Sequence, residues 1–308
     1  GRVLIVRDDL PGAPETAEIT CGVPQGSVLG PLLWNVAYDA VLRLPMPRGT
    51  ITVGYADDTL IVAEGDTAEA AQNRTNAALA AVSGHIAELG LRLAVEKTTA
   101  AVFGCGVWKT APRIRLAGQT VETAETLKYL GITFSTKGSL FGAHLRGAAL
   151  KAGRVMSSLG RLMPNVGGPR EPRRRLLTGV VQSVLLYGAP TWAHTLCWDK
   201  PALAAMAAVH RRAAIRRVCA YRTVSHDAAV VVARTPPIDL LATERQRAFI
   251  ARIAEDERTE LAELDDGDRL RPPPAASLRI RTMARWSCRV RGWDVPVDSG
   301  RAWTRTLI

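Results

Sequence analysis

Ile51-Thr-Val-Gly-Tyr-Ala-Asp-Asp-Thr-Leu-Ile-Val62 is an apolar run that two adjacent aspartates interrupt. The apolar positions that alternate on either side of the aspartates are Val53, Tyr55, Leu60 and Val62. This period of two predicts a half-buried β-hairpin whose tight turn carries Asp57 and Asp58. Adjacent carboxylates repel each other, and a divalent cation would relieve that repulsion because hard cations take oxygen ligands. The alternative is that both aspartates are simply good turn formers.

A second motif, Gly22-Val-Pro-Gln-Gly-Ser-Val-Leu-Gly-Pro31, leads into a predicted helix. Ser27 is a good N-cap residue, and Gly26 would let a ligand approach the backbone closely. Gln25 adds an amide that can pair with a base or a sugar. Because helix N-termini attract phosphate, the segment is a candidate nucleotide-binding site; an ordinary capped helix is the alternative. The stripe expected to face the core is Leu29, Leu32, Leu33, Val36, Ala40, Val41 and Leu44.

Positive charge is concentrated in the middle of the chain. The 308 residues have a formal net charge of +11. Residues 141–234 contain 15 Lys and Arg against 3 Asp and Glu, whereas residues 1–140 contain 12 against 14. Such a block suits a polyanion, and we predict nucleic acid bound through its phosphates. The alternative is a solvated surface that only keeps the protein soluble.

Cysteines and apolar runs narrow the class of protein. The 5 cysteines are scattered without a C-x-x-C pair, which predicts reduced thiols in an intracellular protein and no zinc site. No apolar run reaches the length of about 18 residues that a membrane span needs, so no membrane contact is predicted. The sequence begins with Gly inside a strand-like run, and we expect an excerpt of a longer polypeptide.

The remaining patterns predict strands first and helices afterwards. Strands are predicted at 2–6, 16–21, 91–95, 101–103 and 127–134, a hairpin at 113–121, and helices at 67–89, 145–163, 171–187, 200–220 and 240–264. Gly90 is the expected C-cap of the helix at 67–89. Gly131 indicates a bulge or a close backbone approach within its strand.

Several motifs together resemble reverse transcriptases. They occur in the family's order and are Gly22-Val-Pro-Gln-Gly-Ser-Val-Leu-Gly-Pro31, Tyr55-Ala-Asp-Asp58, Gly90-Leu-Arg-Leu with Lys97-Thr98, and Leu127-Lys-Tyr-Leu-Gly131. Downstream segments resemble the pol polyprotein of arthropod non-LTR retrotransposons, notably the type-1 elements inserted in ribosomal DNA. Those segments are Leu186-Tyr-Gly-Ala-Pro-Thr-Trp-Ala193, Arg216-Arg-Val-Cys-Ala-Tyr-Arg-Thr-Val-Ser225, Pro237-Ile-Asp-Leu-Leu241 and Gly300-Arg-Ala-Trp-Thr-Arg-Thr-Leu-Ile308.

The resemblance implies a fold and a function. The fold is an α/β palm (an antiparallel sheet with backing helices) at 1–139, without its first catalytic strand. A basic α-helical thumb at 140–234 and a helical, Trp-rich linker region at 235–308 follow. The function is that of an RNA-directed DNA polymerase with two Mg²⁺ ions (or Mn²⁺), which copies element RNA into DNA at a genomic target, in the nucleus. Its partners are an RNA template, a DNA primer or target, and dNTPs. The family's endonuclease domain and its Cys/His knuckle lie outside this sequence.

The resemblance also assigns roles to residues. Asp57 and Asp58 match the catalytic metal ligands, and Lys97 matches a lysine that protonates pyrophosphate. The template and nucleotide contacts are Gln25, Gly26, Ser27, Tyr55 and Ala56, and the primer grip is Leu130 and Gly131. The duplex-binding residues are Arg146, Lys151, Arg154, Arg173, Arg174, Arg175, Arg211, Arg212, Arg216 and Arg217. The third carboxylate belongs to the upstream strand, so residues 1–308 alone are expected to lack polymerase activity.

Two alternatives remain open. One is a related palm polymerase or an intron maturase, which the downstream segments argue against. The other is a decayed or domesticated copy that binds nucleic acid without catalysis, which the intact Tyr55-Ala-Asp-Asp58 motif argues against.

Overall fold

A computed structural model describes residues 2–6, 15–19, 22–23, 26–104 and 112–262, with side chains for 22–23, 26–104 and 112–255. The chain forms two compact units, Gly1–Ala124 and Glu125–Ile308. The predicted boundary between palm and thumb lies later, at residue 139. Gln25 and the Trp-rich segment at 263–308 lie outside the described residues. No described helix is long and apolar enough to cross a membrane.

The first unit mixes hairpins with two helices. Its elements are β1 (Arg2–Val6), β2 (Glu15–Ile19), α1 (Gly30–Leu42), β3 (Thr50–Tyr55), β4 (Asp58–Ala63), α2 (Ala68–Glu88), a 3-10 turn (Val95–Lys97), β5 (Ile114–Leu116) and β6 (Gln119–Val121). Strands β1 and β2, β3 and β4, and β5 and β6 pair as antiparallel hairpins. Helices α1 and α2 both contact the β3–β4 hairpin, which forms a small core with them.

Helix α1 differs from its prediction at its start and on its buried face. It begins at Gly30 after Leu29, and no side chain caps it, so Ser27 is not the N-cap. Two of the leucines and valines that were expected to face the core, Leu32 and Val36, are 58% and 68% exposed. The buried residues of the helix are Val41, which belongs to the predicted stripe, and Tyr38, which does not. Trp34 stacks on Tyr38 at a ring-centroid distance of 5.3 Å. The larger aromatic rings bury more area against the hairpin than the aliphatic stripe would.

Helix α2 follows its prediction closely. The Thr67 side chain accepts a hydrogen bond from the Ala70 amide at 3.1 Å and caps the helix. Gly90 follows the C-terminus with a positive φ of 73°, a conformation that glycine adopts without strain. The buried residues of the helix, which belong to the predicted face, are Ala71, Ala78, Val82 and Ile86.

The strands predicted at 91–95 and 101–103 are wrong. The first is a loop with the 3-10 turn, and the second has no strand pairing apart from the nearby Ala100–Thr123 bridge. Side chains of α2 take the edge of β5 in place of a strand, because Gln72 accepts from the Arg113 amide (2.7 Å) and Asn76 accepts from the Arg115 amide (2.8 Å). Leu93 and Val95 pack on the β5–β6 hairpin without extending its ladder.

The second unit is mainly helical. Its elements are β7 (Thr126–Tyr129), β8 (Ile132–Ser135), α3 (Gly142–Arg161), α4 (Glu171–Leu185), α5 (Ala189–Trp192), a 3-10 turn (Ala193–Thr195), α6 (Lys200–Val218), α7 (His226–Val232) and α8 (Ile238–Ala262). The single strand predicted at 127–134 is the β7–β8 hairpin. Leu130 and Gly131 form its turn with φ values of 47° and 78°, which suits a two-residue hairpin turn. Helices α5 and α7 were not predicted.

The core of the second unit centres on Trp192. This residue is fully buried, and its indole nitrogen donates to the Tyr187 carbonyl at 2.8 Å. Helices α3, α4 and α6 pack against one another around Leu145, Val181 and Met206, which are also fully buried. The described residues therefore confirm an α/β chain of small antiparallel sheets and many helices. Their strands pair only as separate hairpins, so one continuous palm sheet is not seen in the described ranges.

Buried His210 makes the second unit sensitive to acid. The side chain is 1% exposed, and its Nε2 lies 3.2 Å from the Gln182 amide nitrogen. Burial, reinforced by His226 and opposed by Asp239, lowers the pKa of His210 to about 4. At a pH above about 6.5, the ordinary pKa of histidine, His210 is neutral in both the folded and the unfolded chain, so it does not lower the free energy of unfolding. As the pH falls towards 4, only the unfolded chain takes up the proton, and stability is lost.

We therefore expect His210 to cost roughly 3 kcal/mol of unfolding free energy between pH 7 and pH 4. His210→Gln keeps an acceptor for Gln182 and removes the titration. Urea unfolding should show a weaker pH dependence for this variant than for the wild type over that range. Parallel pH profiles for the two proteins would contradict the prediction.

Candidate active site

The two adjacent aspartates lie where the β3–β4 hairpin reverses. Tyr55 pairs with Asp58 across the ladder, and Ala56 and Asp57 form the loop between them. Ala56 takes a positive φ of 53°, which is uncommon outside glycine. Both carboxylates are exposed. The hairpin and its acidic turn are therefore placed as the sequence predicts.

Helix α1 holds this turn from behind. The Trp34 indole nitrogen donates to the Ala56 carbonyl at 2.9 Å, and the Tyr38 hydroxyl bonds to the Thr59 hydroxyl. Gly54 allows the close approach, because a Cβ there would stand 3.0 Å from Leu42 and 3.2 Å from Tyr38. Sequence reasoning missed Trp34 and Tyr38. The signal that could have found them is an aromatic pair four residues apart on one helix.

The other face of the hairpin is open, contrary to the predicted burial pattern. Its alternating apolar residues are exposed: Ile51 59%, Val53 43%, Tyr55 65% and Val62 45%. Asp58 belongs to this face because it pairs directly with Tyr55. The opposite face, with Thr59 and Ile61, contacts the helices. The carboxylates therefore stand at the end of an apolar surface that is accessible in the first unit.

The carboxylate oxygens of the turn are the type of ligand that hard divalent cations prefer. Asp57 and Asp58 offer hard oxygen donors, and Mg²⁺ commonly takes one or two carboxylates while keeping water and phosphate ligands. In the described ranges, no group of three or more Asp, Glu, His or Cys residues is placed to hold a metal ion. The described residues thus include two of the predicted metal ligands, and ligation by Asp57 and Asp58 stays a prediction.

Two of the predicted template and nucleotide contacts, Gly26 and Ser27, lie before α1. Gly26 has a positive φ of 87°, with open space where a side chain would stand. The Ser27 carbonyl accepts from the Gly30 amide at 3.2 Å, as part of the turn into the helix. Lys97 ends the 3-10 turn with an exposed side chain. The roles of Gly26, Ser27 and Lys97 stay predictions.

The predicted primer grip lies in the second unit, at the β7–β8 turn. The Tyr187 hydroxyl donates to the Leu130 carbonyl at 2.9 Å. A Cβ on Gly131 would stand 2.9 Å from the Tyr187 ring, so the close approach expected at Gly131 is confirmed. Tyr187 therefore fixes this turn, and contact of Leu130 and Gly131 with a primer stays a prediction.

Arg174 is wrongly included among the duplex-binding residues. Its side chain is buried, with the residue 3% exposed, and its guanidinium donates to the carbonyls of Pro169 (2.7 Å) and Arg216 (2.8 Å) and to that of Pro164. These contacts tie the loop after α3 to α4 and α6. A buried guanidinium needs such acceptors, and none of its surface remains for a duplex.

The other predicted duplex contacts fall into two groups. Arg211, Arg216 and Arg217 are partly buried: Arg211 donates to backbone carbonyls, Arg216 to the Met163 carbonyl, and Arg217 to Glu171 at 2.7 Å. The exposed group consists of Arg146, Lys151, Arg154, Arg173, Arg175 and Arg212. Arg212 donates to the Ser157 hydroxyl at 3.1 Å, and the other five can reach phosphates without losing a side-chain hydrogen bond inside the described part of the unit.

Trp34→Phe should loosen the acidic turn. The substitution keeps the ring stack on Tyr38 but removes the donor to the Ala56 carbonyl. We expect a loss of about 1 kcal/mol of unfolding free energy and faster amide exchange at Ala56–Asp58. Trp198→Phe, the same change at an 85% exposed site, is the matched control and should leave both unchanged. Unaltered exchange at the turn in Trp34→Phe would show that the bond does not hold it.

Comparison with known proteins assigns the matched segment to a family. Residues 9–134 match the family model described as reverse transcriptase (RNA-dependent DNA polymerase). A 115 kDa protein in the type-1 retrotransposable element R1DM of Drosophila melanogaster is 30% identical over 225 residues, which cover 73% of this chain and 22% of that protein. A retrovirus-related Pol polyprotein from a type-1 R1 element of Nasonia vitripennis is 30% identical over 239 residues, which cover 75% of this chain and 57% of that protein.

A further relative comes from a different element. The RNA-directed DNA polymerase from the mobile element jockey of Drosophila melanogaster is 32% identical over 124 residues, covering 39% of this chain and 13% of that protein. No solved structure matches the chain significantly. The chain spans 22% of the length of the first of these relatives and 57% of the second. Residues 9–134 therefore form part of a reverse transcriptase domain, and the chain is similar to the pol polyproteins of type-1 retrotransposable elements.

Proposed function

We propose that the chain is part of an RNA-directed DNA polymerase and that Asp57 and Asp58 bind its catalytic cations. The observation that carries the proposal is the exposed carboxylate pair at the β3–β4 turn, held by Trp34 within the segment that matches reverse transcriptases. A turn fixed from behind and open in front is suited to present carboxylates to a substrate. The residues of the turn need no rearrangement to expose their oxygens.

The proposed chemistry is nucleotidyl transfer with two divalent cations, Mg²⁺ or Mn²⁺. When bound, such ions activate the primer hydroxyl and stabilise the leaving oxygen. Asp57, in the loop, is the surer ligand, and Asp58 stands next to it on the open face. Tyr55 is on the same face, 65% exposed, and provides a flat surface on which the primer end can rest. Lys97 would supply the proton to the leaving pyrophosphate.

The proposed partners are an RNA template, a DNA primer or target, and dNTPs. The exposed basic residues of α3, α4 and α6 support a duplex-binding surface, because phosphate contacts need accessible cations. The parent polyprotein would add an endonuclease and act in the nucleus, where its genomic target lies. The division into palm, thumb and linker region belongs to the same proposal.

A second candidate function is nucleic-acid binding without catalysis. It is favoured by the same basic surface, which would bind phosphates whether or not the carboxylates hold metal. The two functions differ in one property: only the polymerase requires Asp57.

Primer extension tests the proposal. The parent polyprotein that contains residues 1–308 is given an RNA template, a DNA primer, dNTPs and Mg²⁺. We expect extension that depends on template sequence and stops when a chelator removes the cation. Binding of the primer–template without any extension, with either Mg²⁺ or Mn²⁺, would reject the polymerase and leave the second candidate.

A further inference from the structure

A cleft on the second unit lies between the loop after β8 and the turn that precedes α6. Its volume is about 530 Å³. The residues that line it and carry polar or aromatic groups are Lys137, Ser139, Arg146, Thr195, Trp198 and Asp199. The cleft thus combines two cations, one indole and two hydroxyls on elements of a single unit. The roles proposed above make no use of Trp198.

Trp198 presents its ring to solvent. It is 85% exposed, although tryptophan is normally well buried because of its large apolar area. Its indole makes no hydrogen bond or ring contact with any described residue. Its backbone is nevertheless fixed, because the amides of Trp198 and Asp199 donate to the Thr195 carbonyl at 3.0 and 3.2 Å. A rigid turn therefore holds an unpartnered aromatic face at the edge of the cleft.

Two cations accompany this ring. Arg146 is exposed near the start of α3, and its guanidinium has no hydrogen bond or ion pair within the part of the chain that the structure describes. Lys137 pairs with Glu125, but the two side chains are 76% and 73% exposed, so the pair is weak and the ammonium remains accessible. Both groups can donate to a phosphate that enters the cleft.

Asp199 is the one carboxylate among these lining residues, and it is already engaged. Its Oδ1 accepts from the Ala202 amide at 3.0 Å and caps α6. Its Oδ2 and a guanidinium nitrogen of Arg146 lie 2.9 and 3.1 Å from the point where a Cβ on Gly142 would stand. Gly142 therefore leaves room for both groups.

We propose that this cleft binds single-stranded nucleic acid, with one base stacked on Trp198 and the neighbouring phosphates on Arg146 and Lys137. Proteins that hold single strands combine an aromatic platform with cations in this way, because every base has a face that can stack. The bases of a duplex are stacked on one another, so an exposed indole adds little to the affinity for a duplex. An acidic peptide would use the cations but not the ring. The proposal stands independently of polymerase activity, and it moves Arg146 from the duplex surface to a single-strand site.

The test compares single-stranded and duplex probes on the 308-residue chain. Fluorescence anisotropy would follow a labelled oligouridine of about 12 nucleotides, a length within the usual site sizes, and an RNA–DNA hybrid of equal length. We expect Trp198→Ala to weaken single-strand binding about tenfold and hybrid binding by less than about twofold. Trp198→Phe should retain most of the single-strand affinity, and Trp198→Leu, which keeps bulk without a π-face, should behave like alanine.

Arg146 has a matched control on the same helix. Arg161 is also exposed on α3 and has no partner among the described residues, but it lies outside the cleft. Arg146→Ala should reduce the log–log salt slope of single-strand binding by about 0.7, and Arg161→Ala should not. Three outcomes would each overturn the proposal. The first is wild-type affinity in folded Trp198→Ala and Trp198→Leu, and the second is an equal loss of affinity for the single strand and for the hybrid. The third is that polyglutamate displaces the labelled oligouridine as well as unlabelled oligouridine does.

Discussion

Asp57→Asn is expected to abolish nucleotide addition by the intact polymerase, with a loss on the order of a thousandfold or more. The amide keeps the size of the side chain but no longer offers a charged oxygen to a cation. Folding should be unaffected, because Asp57 is exposed in the turn, asparagine suits turns, and repulsion with Asp58 disappears. Steady-state primer extension and thermal unfolding, measured on the same preparation, separate the two effects.

The matched control for this substitution is Asp66→Asn. Asp66 is an exposed acid of the same unit, outside the hairpin and ahead of α2, and its replacement should leave extension unchanged. Asp58→Asn should cost less than Asp57→Asn, because Asp57 is the surer ligand. Extension by the Asp57 variant at a near wild-type rate would reject the metal assignment while leaving the family membership intact.

Binding of an RNA–DNA hybrid is expected to weaken steeply with salt. Each phosphate contact on a B-form duplex contributes a log–log slope of about −0.9, and a slope of similar size is expected on a hybrid. If the five exposed cations of α3, α4 and α6 other than Arg146 all bind phosphates, affinity should fall roughly 500-fold between about 50 and 200 mM salt. A flat response would show that the basic block is only a solvated surface.

Three consecutive arginines provide the internal control. Arg173 and Arg175 are exposed, whereas Arg174 between them is buried. Replacement of either exposed arginine by alanine should reduce the salt slope by about one and leave stability unchanged. Arg174→Ala should instead destabilise the second unit by about 3 kcal/mol, because several buried carbonyls lose their charged donor. Urea unfolding and salt titrations of the three variants distinguish these outcomes.

Much of the candidate site could be predicted because its signals are local. The β3–β4 hairpin follows from alternation around two aspartates, and α2 follows from the pattern at 67–89 and from Gly90 as its end. The exposure of Ile51 and Val53 could not be predicted in this way. Alternation shows that a hairpin has two faces, but which face meets the helices depends on the aromatic pair of α1.

Other differences arise from contacts between segments distant in sequence. The strand expected at 91–95 fails because Gln72 and Asn76 of α2 already occupy the edge of β5. Arg174 is different, since the helix period itself contains the signal. Arg174, Thr178, Val181 and Leu185 are spaced by four, three and four residues and are all buried on one face of α4. The prediction of Arg174 as a duplex-binding residue used its charge and ignored this spacing, so it assigned a buried arginine to the surface.

Paramagnetic broadening by Mn²⁺ tests directly whether the hairpin turn holds a divalent cation. Backbone amide resonances of the 308-residue chain would be recorded during a Mn²⁺ titration, for the wild type and for an Asp57→Asn/Asp58→Asn double variant. We predict that broadening is strongest at Ala56–Thr59 in the wild type and is lost there in the variant, while the rest of the spectrum stays folded. Broadening at the turn that is equally strong in the double variant, or strongest elsewhere in the first unit, would contradict the assignment of Asp57 and Asp58 as the metal ligands.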